Sequence, residues 1–182
     1  MSTLRVDNVT DLDDDPVVTA GVVAGGALPA GSILQVVSTT KTDTFSTTSS
    51  SFTAITGLSA TITPSSASNK ILVLVDLFTS NSTNTAQDMV RLMRDATAIS
   101  VGAASGSRAP TSVYSFVTPN NSSGNQSGIN FLDSPATTSA ITYSLQSKTS
   151  GGTHYVNRTG ADSDNGNFPR TASGITLMEV AG

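Results

Sequence analysis

From residue 32 onward, apolar and polar residues alternate in short runs, and clusters of Ser, Asn, Gly and Pro separate one run from the next. Ile141, Tyr143 and Leu145, for example, alternate with polar residues, as in a strand with one face in a core and the other in water. Thr, Val and Ile, which are frequent here, favour strands over helices. The runs predict these strands: Ile33–Ser38, Phe52–Ile55, Leu58–Thr63, Lys70–Thr79, Met89–Arg94, Thr97–Val101, Ser112–Thr118, Ile129–Leu132, Ile141–Ser147, Thr153–Arg158 and Ile175–Val180.

Turn signals connect several of these strands. The segments Arg94–Thr97 and Ser150–Gly152 contain Asp or Gly, which tolerate the backbone angles of tight hairpins, so the strands on either side should be antiparallel. The number of strands is close to that of a jelly roll. The sequence therefore predicts an all-β fold, an antiparallel jelly-roll-like β-sandwich over residues 32–182 that follows an extended N-terminal arm.

The first 31 residues differ in composition from the rest of the chain. A short alternating run, Leu4–Val9, is followed by an acidic stretch that ends at Pro16 and by the Gly- and Ala-rich segment Ala20–Gly31. Such a segment buries too little apolar area to offset the entropy lost on ordering, roughly 1–2 kcal/mol per residue. We therefore predict that residues 1–31 form an attachment arm that becomes ordered against a partner.

The arm contains two kinds of side chain that suit docking. Leu4, Val6 and Val9 would add a strand to an exposed sheet edge of a neighbouring subunit, where main-chain hydrogen bonds provide affinity. Asp11 and Asp13 would meet basic groups on the partner or stay solvated. The alternative is that the arm completes its own domain as an edge strand.

One predicted strand, Lys70–Thr79, is apolar on both faces. Ile, Val and Leu occupy its odd-numbered positions, and Leu72, Leu74 and Phe78 accompany Asp76 on the other face. A row of large apolar side chains exposed to water would be a surface that promotes association or aggregation. We predict that Leu72, Leu74 and Phe78 lie in a subunit interface; the alternative is that a loop covers them.

The balance of charge narrows the class of partner. Lys and Arg number 9 against 13 Asp and Glu, for a net charge of −4, so the chain has no basic footprint for nucleic acid. No apolar run is long enough to span a membrane, and the acidic N-terminal region does not fit a secretory signal. The absence of Cys suits a protein that folds in a reducing cytoplasm. We expect neither nucleic acid nor a membrane as a partner.

The sequence resembles a β-rich module of tail-fibre-like and other accessory virion proteins of tailed bacteriophages, over Gly31–Leu77 and in the later segments RLMRDATAI, HYVNRTG and ITLMEV. The opening STLRVDNV resembles the short N-terminal strand motif of many phage fibre proteins. The resemblance implies a trimeric, protease-resistant protein on the virion surface, made in the host cytoplasm, with major capsid or tail proteins as partners. Because the sequence has no fibre shaft, we expect a capsid decoration (cement) protein or a short fibre.

Residues with catalytic potential are few. His154 is the only histidine, and no nucleophile elbow accompanies it. Glu179, the single glutamate, lies near the end of the last strand, whereas carboxylate-pair hydrolysis needs two acids across a cleft. We expect no enzymatic activity, no catalytic residue and no cofactor.

Two clusters of acids have some similarity to calcium loops. In Asp11–Asp15 the spacing fits the first ligands, but Pro16 stands where such a loop needs Gly. The cluster Asp162–Gly166 has the composition of a plain Asx-rich turn. We predict a solvated linker at the first cluster and a turn without metal at the second, with calcium at Asp162 and Asp164 as the alternative.

Carbohydrate binding is the second function that the sequence allows, as in a lectin-like jelly roll that recognises glycans on a host surface. Sugar sites usually stack the ligand on exposed aromatic side chains. Trp is absent and aromatic residues make up only 5% of the chain, most of them on apolar faces. The candidates for exposure are Tyr114, Tyr155 and Phe168.

Overall fold

A computed structural model of the protein describes residues 8–10, 16–19, 22–23, 28–116 and 123–182. Every regular element in these residues is a strand. The described residues therefore contain no helix that is long and apolar enough to cross a membrane. The strands are β1 (Asn8–Thr10), β2 (Pro16–Thr19), β3 (Val22–Val23), β4 (Ile33–Lys41), β5 (Phe45–Thr47), β6 (Thr53–Ile62), β7 (Lys70–Asn81), β8 (Gln87–Arg94), β9 (Thr97–Ile99), β10 (Val113–Phe116), β11 (Asn125–Asp133), β12 (Ile141–Thr149), β13 (His154–Val156) and β14 (Ser173–Val180).

Two antiparallel sheets hold strands β4 to β14. Sheet I has the order β4-β14-β7-β11, and β13 and β5 extend it alongside the last residues of β7. Sheet II has the order β6-β12-β8-β10, with β9 paired to β8 next to β10. If strands β4, β6, β7, β8, β10, β11, β12 and β14 are numbered 1 to 8 in chain order, the sheets read 1-8-3-6 and 2-7-4-5. This is the strand order of a jelly roll, so the predicted fold is confirmed.

The hydrophobic core lies between the two sheets and is built from alternate residues of each strand. Along β12, Ile141, Tyr143 and Leu145 are buried, and the residues between them are only partly covered. Ile175 and Leu177 occupy the same inward positions on β14. Each strand therefore has one face against the opposite sheet, as the alternation in the sequence predicted.

Two segments that the sequence predicts as separate strands, Phe52–Ile55 and Leu58–Thr63, form the single strand β6. Gly57, with a φ of +79°, lies between them, and the pairing with β12 shifts at this point. Ile55 and Leu58 are both buried although three positions separate them. Ser144 pairs with Ser59 but Gln146 pairs with Ala54, so β6 has three more residues than β12 at this bulge. Because this number is odd, Ile55 and Leu58 both face inward, whereas a period-two pattern ends there.

The first strands also differ from a single extended arm. β1, β2 and β3 form a three-stranded antiparallel sheet in which Val18 pairs with Val9 and with Val23. The sequence missed β2 and β3, and it missed the short strand β5. Of the predicted docking residues, only the main chain of Val9 is described; the others, Leu4, Val6, Asp11 and Asp13, lie outside the described residues. Their role and the arm boundary at residue 31 stay predictions.

Of the two predicted hairpins, one is confirmed and the other is wrong. Arg94 pairs with Thr97 across the turn between β8 and β9, where Asp95 has a φ of 50°. Ser150–Gly152, in contrast, connects β12 of sheet II to β13 of sheet I. A Gly-rich segment allows a sharp change of direction, and the sequence does not say whether the next strand returns to the same sheet.

Replacing Gly152 by Ala should destabilise this connection between the sheets. Gly152 has a φ of +63°, which costs an L-residue about 1–2 kcal/mol, and an added Cβ would contact the Asn81 side chain. Gly151 is the matched control, because it has open space around its Cα and a φ outside the left-handed region. In urea unfolding, Gly152→Ala should lose at least about 1 kcal/mol, while Gly151→Ala should stay close to the wild type or gain slightly. Equal losses in both variants would contradict this account.

Candidate functional site on the outer face of sheet I

Strand β7 presents its two apolar faces to different environments. Its odd-numbered residues Ile71, Val73, Val75 and Leu77 are buried in the core. Leu72 and Leu74 point to the outer face of sheet I and are only half-buried. The strand is therefore apolar on a side that its own sandwich does not cover completely.

The register of sheet I continues this apolar character across four strands. Leu72 lies opposite Leu132 of β11 on one side and Met178 of β14 on the other, and Met178 lies opposite Val36 of β4. Val36 and Leu132, at the two ends of this row, are 55% and 48% exposed. Together with Leu74 in the neighbouring row, these side chains form an exposed stripe that we call the apolar band, with the members Val36, Leu72, Leu74, Leu132 and Met178.

The polar rows beside the band set its limits. Next to Leu74 on the same row lie Asn130 and Thr176, and Thr176 shares a hydrogen bond of 3.0 Å with Ser38. The following row contains Asp76, which accepts a hydrogen bond from Gln126. The band is therefore narrow and has a polar margin on this side, as interaction surfaces commonly do.

Phe78, the third predicted interface residue, lies apart from the band. The row of Asp76 separates it from Leu74, and its ring packs so closely on Gly124 that a Cβ there would collide with it. The structure thus brings Leu72 and Leu74 together in one surface and places Phe78 under a neighbouring part of its own chain.

Sequence reasoning missed Val36, Leu132 and Met178. Each belongs to a pair of consecutive apolar residues, Val36-Val37, Phe131-Leu132 and Leu177-Met178, and β7 has the same feature at Leu72-Val73. An apolar pair places one side chain in the core and one outside. The pairs were visible in the sequence, but only the register shows that they lie side by side.

At the end of the sandwich where β7 begins, Glu179 is buried in a set of hydrogen bonds. Its carboxylate accepts from Asn69 Nδ2 at 2.6 Å, from Gln35 Nε2 at 2.5 Å, and from the main-chain N and the hydroxyl of Ser65 at 2.6 and 2.8 Å. Burial raises the pKa of Glu179, but these hydrogen bonds outweigh it and hold the pKa below its usual value. Glu179 is therefore a structural anion.

At the opposite end, where β7 ends, Asp88 and His154 are both completely buried. Asn81 donates to Asp88 Oδ1 at 2.8 Å and lies opposite His154 in the ladder between β7 and β13. In the described part of the chain, Asp88 Oδ2 and both ring nitrogens of His154 lack a hydrogen-bond partner. Burial raises the pKa of Asp88 to about 6 and lowers the pKa of His154 to about 4.

The Asx-rich segment near residue 162 forms the predicted turn. Asp162 Oδ2 accepts from Arg170 at 2.7 Å and lies 3.3 Å from Arg158, so its charge is already paired. Asn165 Oδ1 accepts from the main-chain N of Asn167, as in an Asx turn. Within the described ranges, no group of three or more His, Asp or Glu side chains could hold a metal ion.

The three aromatic candidates for exposure lie in different surroundings. Tyr114 is 54% exposed on the outer face of sheet II. Tyr155 is half-buried, and the guanidinium of Arg158 lies 3.9 Å from its ring centroid. Phe168 is half-buried beside the turn at Asp162. They do not form a single sugar-stacking platform.

No protein-family model matches the chain, and no curated protein matches it. Several structures of infectious bursal disease virus are among the solved structures that are similar to it. A structure of the Gx strain has a TM-score of 0.43 and 16% identity, covering 81% of this chain and 40% of that chain. A structure of the Gt strain has a TM-score of 0.42 and 16% identity, covering 96% and 47%. The VP2 subviral particle of that virus has a TM-score of 0.39 and 15% identity, covering 81% and 41%. The chain spans less than half the length of each of these chains.

Asp88 and His154 should contribute to the pH dependence of stability with opposite signs. An unfolded His gains a proton near pH 6.5 but folded His154 only near pH 4, so this group weakens folding as the pH falls through that window. Folded Asp88 gains its proton near pH 6 but an unfolded Asp only near 3.8, so this group strengthens folding as the pH falls. In the wild type the two contributions should largely cancel.

Single substitutions separate the two contributions. Relative to the wild type, Asp88→Asn should lose unfolding free energy as the pH falls from 6.5 to 4, and His154→Leu should gain it. The slope of either difference should be at most about 1.4 kcal/mol per pH unit, since one proton is involved. Urea unfolding across this range measures both slopes, and differences that do not depend on pH would refute the assignment.

Proposed function

We propose that the protein is a non-enzymatic structural protein of a tailed-phage virion, which docks by its N-terminal arm and displays a trimeric β-sandwich on the particle surface. It would serve as a capsid decoration (cement) protein or a short fibre. The apolar band on sheet I is the observation that carries this proposal, because it is a surface that needs a partner.

A second copy of the chain is the partner that best fits the band. Complete burial of a Leu or Met side chain contributes about 1.5–3 kcal/mol, and the band leaves several such side chains partly in water. Copies that cover each other's bands around an axis would close into a ring without leaving a band uncovered. A homotrimer, which the phage resemblance implies, satisfies this condition.

The state of the two candidate acid–base residues supports a non-enzymatic role. His154 is completely buried, and desolvation keeps its ring neutral at physiological pH. Glu179 is held as an anion by donors from three side chains and a main-chain N. Neither group is presented to a substrate, which general acid–base catalysis requires.

Placement on a virion is supported by the resemblance of Gly31–Leu77 and of the opening STLRVDNV to accessory phage proteins. Leu4, Val6 and Val9 supply a short apolar strand for the edge of a sheet in a major capsid or tail protein. Only 12% of the residues are charged and Ser and Thr are frequent, a composition that suits a protein packed densely among other subunits.

Carbohydrate binding is the second candidate function, and the exposure of Tyr114 on sheet II favours it. An exposed Tyr can stack on a sugar ring and hydrogen-bond to its hydroxyls. A host-surface glycan would then be the ligand, with the protein acting as an adhesin at the tip of a fibre.

Replacing both Leu72 and Leu74 by Asp should break the trimer. Two carboxylates in the centre of a buried interface would be desolvated without partners, at a cost of several kcal/mol. Light scattering should show a wild-type mass of three chains and a variant mass near the 18.5 kDa of one chain. Ser38→Asp, on the same face but outside the band, is the matched control and should leave the mass unchanged. A wild-type mass of one chain at micromolar concentration would refute the trimer.

Deleting residues 2–28 should remove attachment to particles and leave the sandwich folded. The first strand of the sandwich begins at Ile33. The main-chain N of Ala181 donates to the carbonyl O of Ser32, so the chain is held by the sandwich just before this strand. The truncated protein should melt cooperatively but should no longer sediment with particles that lack the native protein. Unchanged binding stoichiometry would mean that attachment runs through the sandwich.

A further inference from the structure

The outer face of sheet II contains a cluster of aromatic and basic side chains that neither the core nor the apolar band uses. Tyr114 of β10 lies opposite Met89 of β8, and Met89 lies opposite Lys148 of β12. Phe116, two residues after Tyr114, is 48% exposed on the same face. We call this surface the aromatic–cationic face; its members are Phe52, Met89, Arg91, Tyr114, Phe116 and Lys148.

The two cations of this face are held in place, and within the described residues neither has a counter-ion. The guanidinium carbon of Arg91 lies 4.1 Å from the ring centroid of Phe52, and Lys148 Nζ lies 5.1 Å from it. Arg91 Nε and Nη2 both donate to Gln146 Oε1, at 3.0 and 2.7 Å. Neither cation is in any ion pair of the described residues, and Asp88, the acid on β8, is buried on the inner side. A ligand that brings carboxylates would meet two oriented positive charges.

The sequence itself contains a segment of matching chemistry. Asp11–Asp15 reads Asp-Leu-Asp-Asp-Asp, the highest density of acids in the chain, and Val17 and Val18 follow it. Its carboxylates suit Arg91 and Lys148, and its apolar residues suit the exposed rings. We propose that the aromatic–cationic face binds the acidic stretch Asp11–Asp15 of a second copy of this chain.

Chain geometry favours a second copy over the same copy. The arm joins the sandwich where β7 begins, since Gly31 N donates to Ala181 O and Val180 pairs with Lys70. The aromatic–cationic face lies near the other end of β7, because Asn81 bonds to Asp88 beside Met89. The strand between these ends is about 36 Å long at roughly 3.3 Å per residue, and the face is on the far side of the other sheet.

The arm is too short to bring Asp11–Asp15 to the aromatic–cationic face of the same copy. Val18 pairs with Val23, and Pro16 pairs with Thr10, so the residues between the partners of each pair do not lengthen the arm. Leu28 lies beside Ser68 and Gly182, at the end where β7 begins. The five residues from Leu28 to Val23, the two from Val18 to Pro16 and the three from Pro16 to Asp13 extend about 35 Å at most, and the pair Val18–Val23 adds about 5 Å. The resulting reach of about 40 Å falls short of a path of about 36 Å along the sandwich and about 10 Å more from one sheet to the other. A neighbour placed with its β7 end beside this arm would present its face directly.

The contact is heterologous, since it joins an arm to a different surface of the next copy, and it closes into a ring if the rotation allows. The inference rests on the proposed function only in taking the arm as a linking segment. Leu4–Val9 would remain available for another virion protein while Asp11–Asp15 joins neighbouring copies.

Cross-linking between two full-length copies tests this proposal, because the chain has no Cys of its own. One copy carries Leu12→Cys. The other carries Ala54→Cys, at an exposed position opposite Gln146 on the outer face of sheet II. After mild oxidation of the mixture, electrophoresis should show a mixed disulfide-linked dimer. The matched control replaces Ala54→Cys by Ser38→Cys, exposed on sheet I, and should yield several-fold less of it.

The cross-link should depend on charge. Lys148→Gln, alone or together with Arg91→Gln, should reduce the yield of the mixed dimer several-fold. Replacing the four acids of Asp11–Asp15 by Asn should reduce this yield by a similar factor. High salt should also reduce it, because salt screens the attraction between the charges. Lys148→Gln serves as the second variant if the loss of Arg91 disturbs the packing of Phe52, and an unchanged melting temperature confirms folding. Equal cross-linking to Ser38→Cys, or a yield indifferent to all of these changes, would overturn the proposal.

Two further outcomes would also overturn it. A chain that carries both Leu12→Cys and Ala54→Cys, diluted into excess wild type, should form little internal disulfide; efficient internal closure would mean that the arm folds onto its own face.

Polygalacturonate, a polymer of sugar carboxylates, provides the other test. If it binds the wild type but not Lys148→Gln, and the two-copy cross-link is absent, the face is a glycan site. Particle attachment does not enter either readout, so the proposed function stands or falls separately.

Discussion

The pairing of β7 with β14 on one side and β11 on the other is the constraint on which the rest of the structure depends. Because side chains alternate along a strand, these two ladders fix which residues of three strands enter the core and which remain outside. A slip of one residue in either ladder would move buried side chains such as Val73 and Leu177 to the surface. The same register that builds the core therefore also aligns the apolar band.

The polar groups at the two ends of the sandwich are compensated to different degrees. Glu179 accepts three hydrogen bonds at Oε1 and one at Oε2, so its burial costs little and fixes the loop that contains Ser65 and Asn69. At the other end, Asp88 and His154 keep unpaired atoms in the part of the chain that the structure describes. Their pKa values are shifted in opposite directions, so the stability changes that the two groups cause in mild acid have opposite signs.

The two outer faces of the sandwich differ in chemistry, and this difference suits an assembly better than an isolated subunit. Sheet I presents an apolar band with a polar margin, whereas sheet II presents two exposed rings and two cations that have no ion-pair partner among the described residues. A chain with few charges has little electrostatic means of keeping copies apart. Two unlike surfaces allow one copy to contact others in a defined arrangement instead of by general adhesion.

The sequence by itself determined the fold class, most of the strands and the two-sided character of β7, because burial of alternate residues leaves a local, period-two pattern. It did not determine β6, where a bulge at Gly57 breaks that pattern, nor the segment Ser150–Gly152, whose composition is the same for a hairpin and for a crossing between sheets. Leu72 and Leu74 were recognisable as surplus apolar residues. That Val36, Leu132 and Met178 join them, while Phe78 does not, depends on pairings between residues that are far apart in the chain. Only the tertiary structure decides such pairings, because a strand's own sequence specifies its two faces but not the strand that lies beside it.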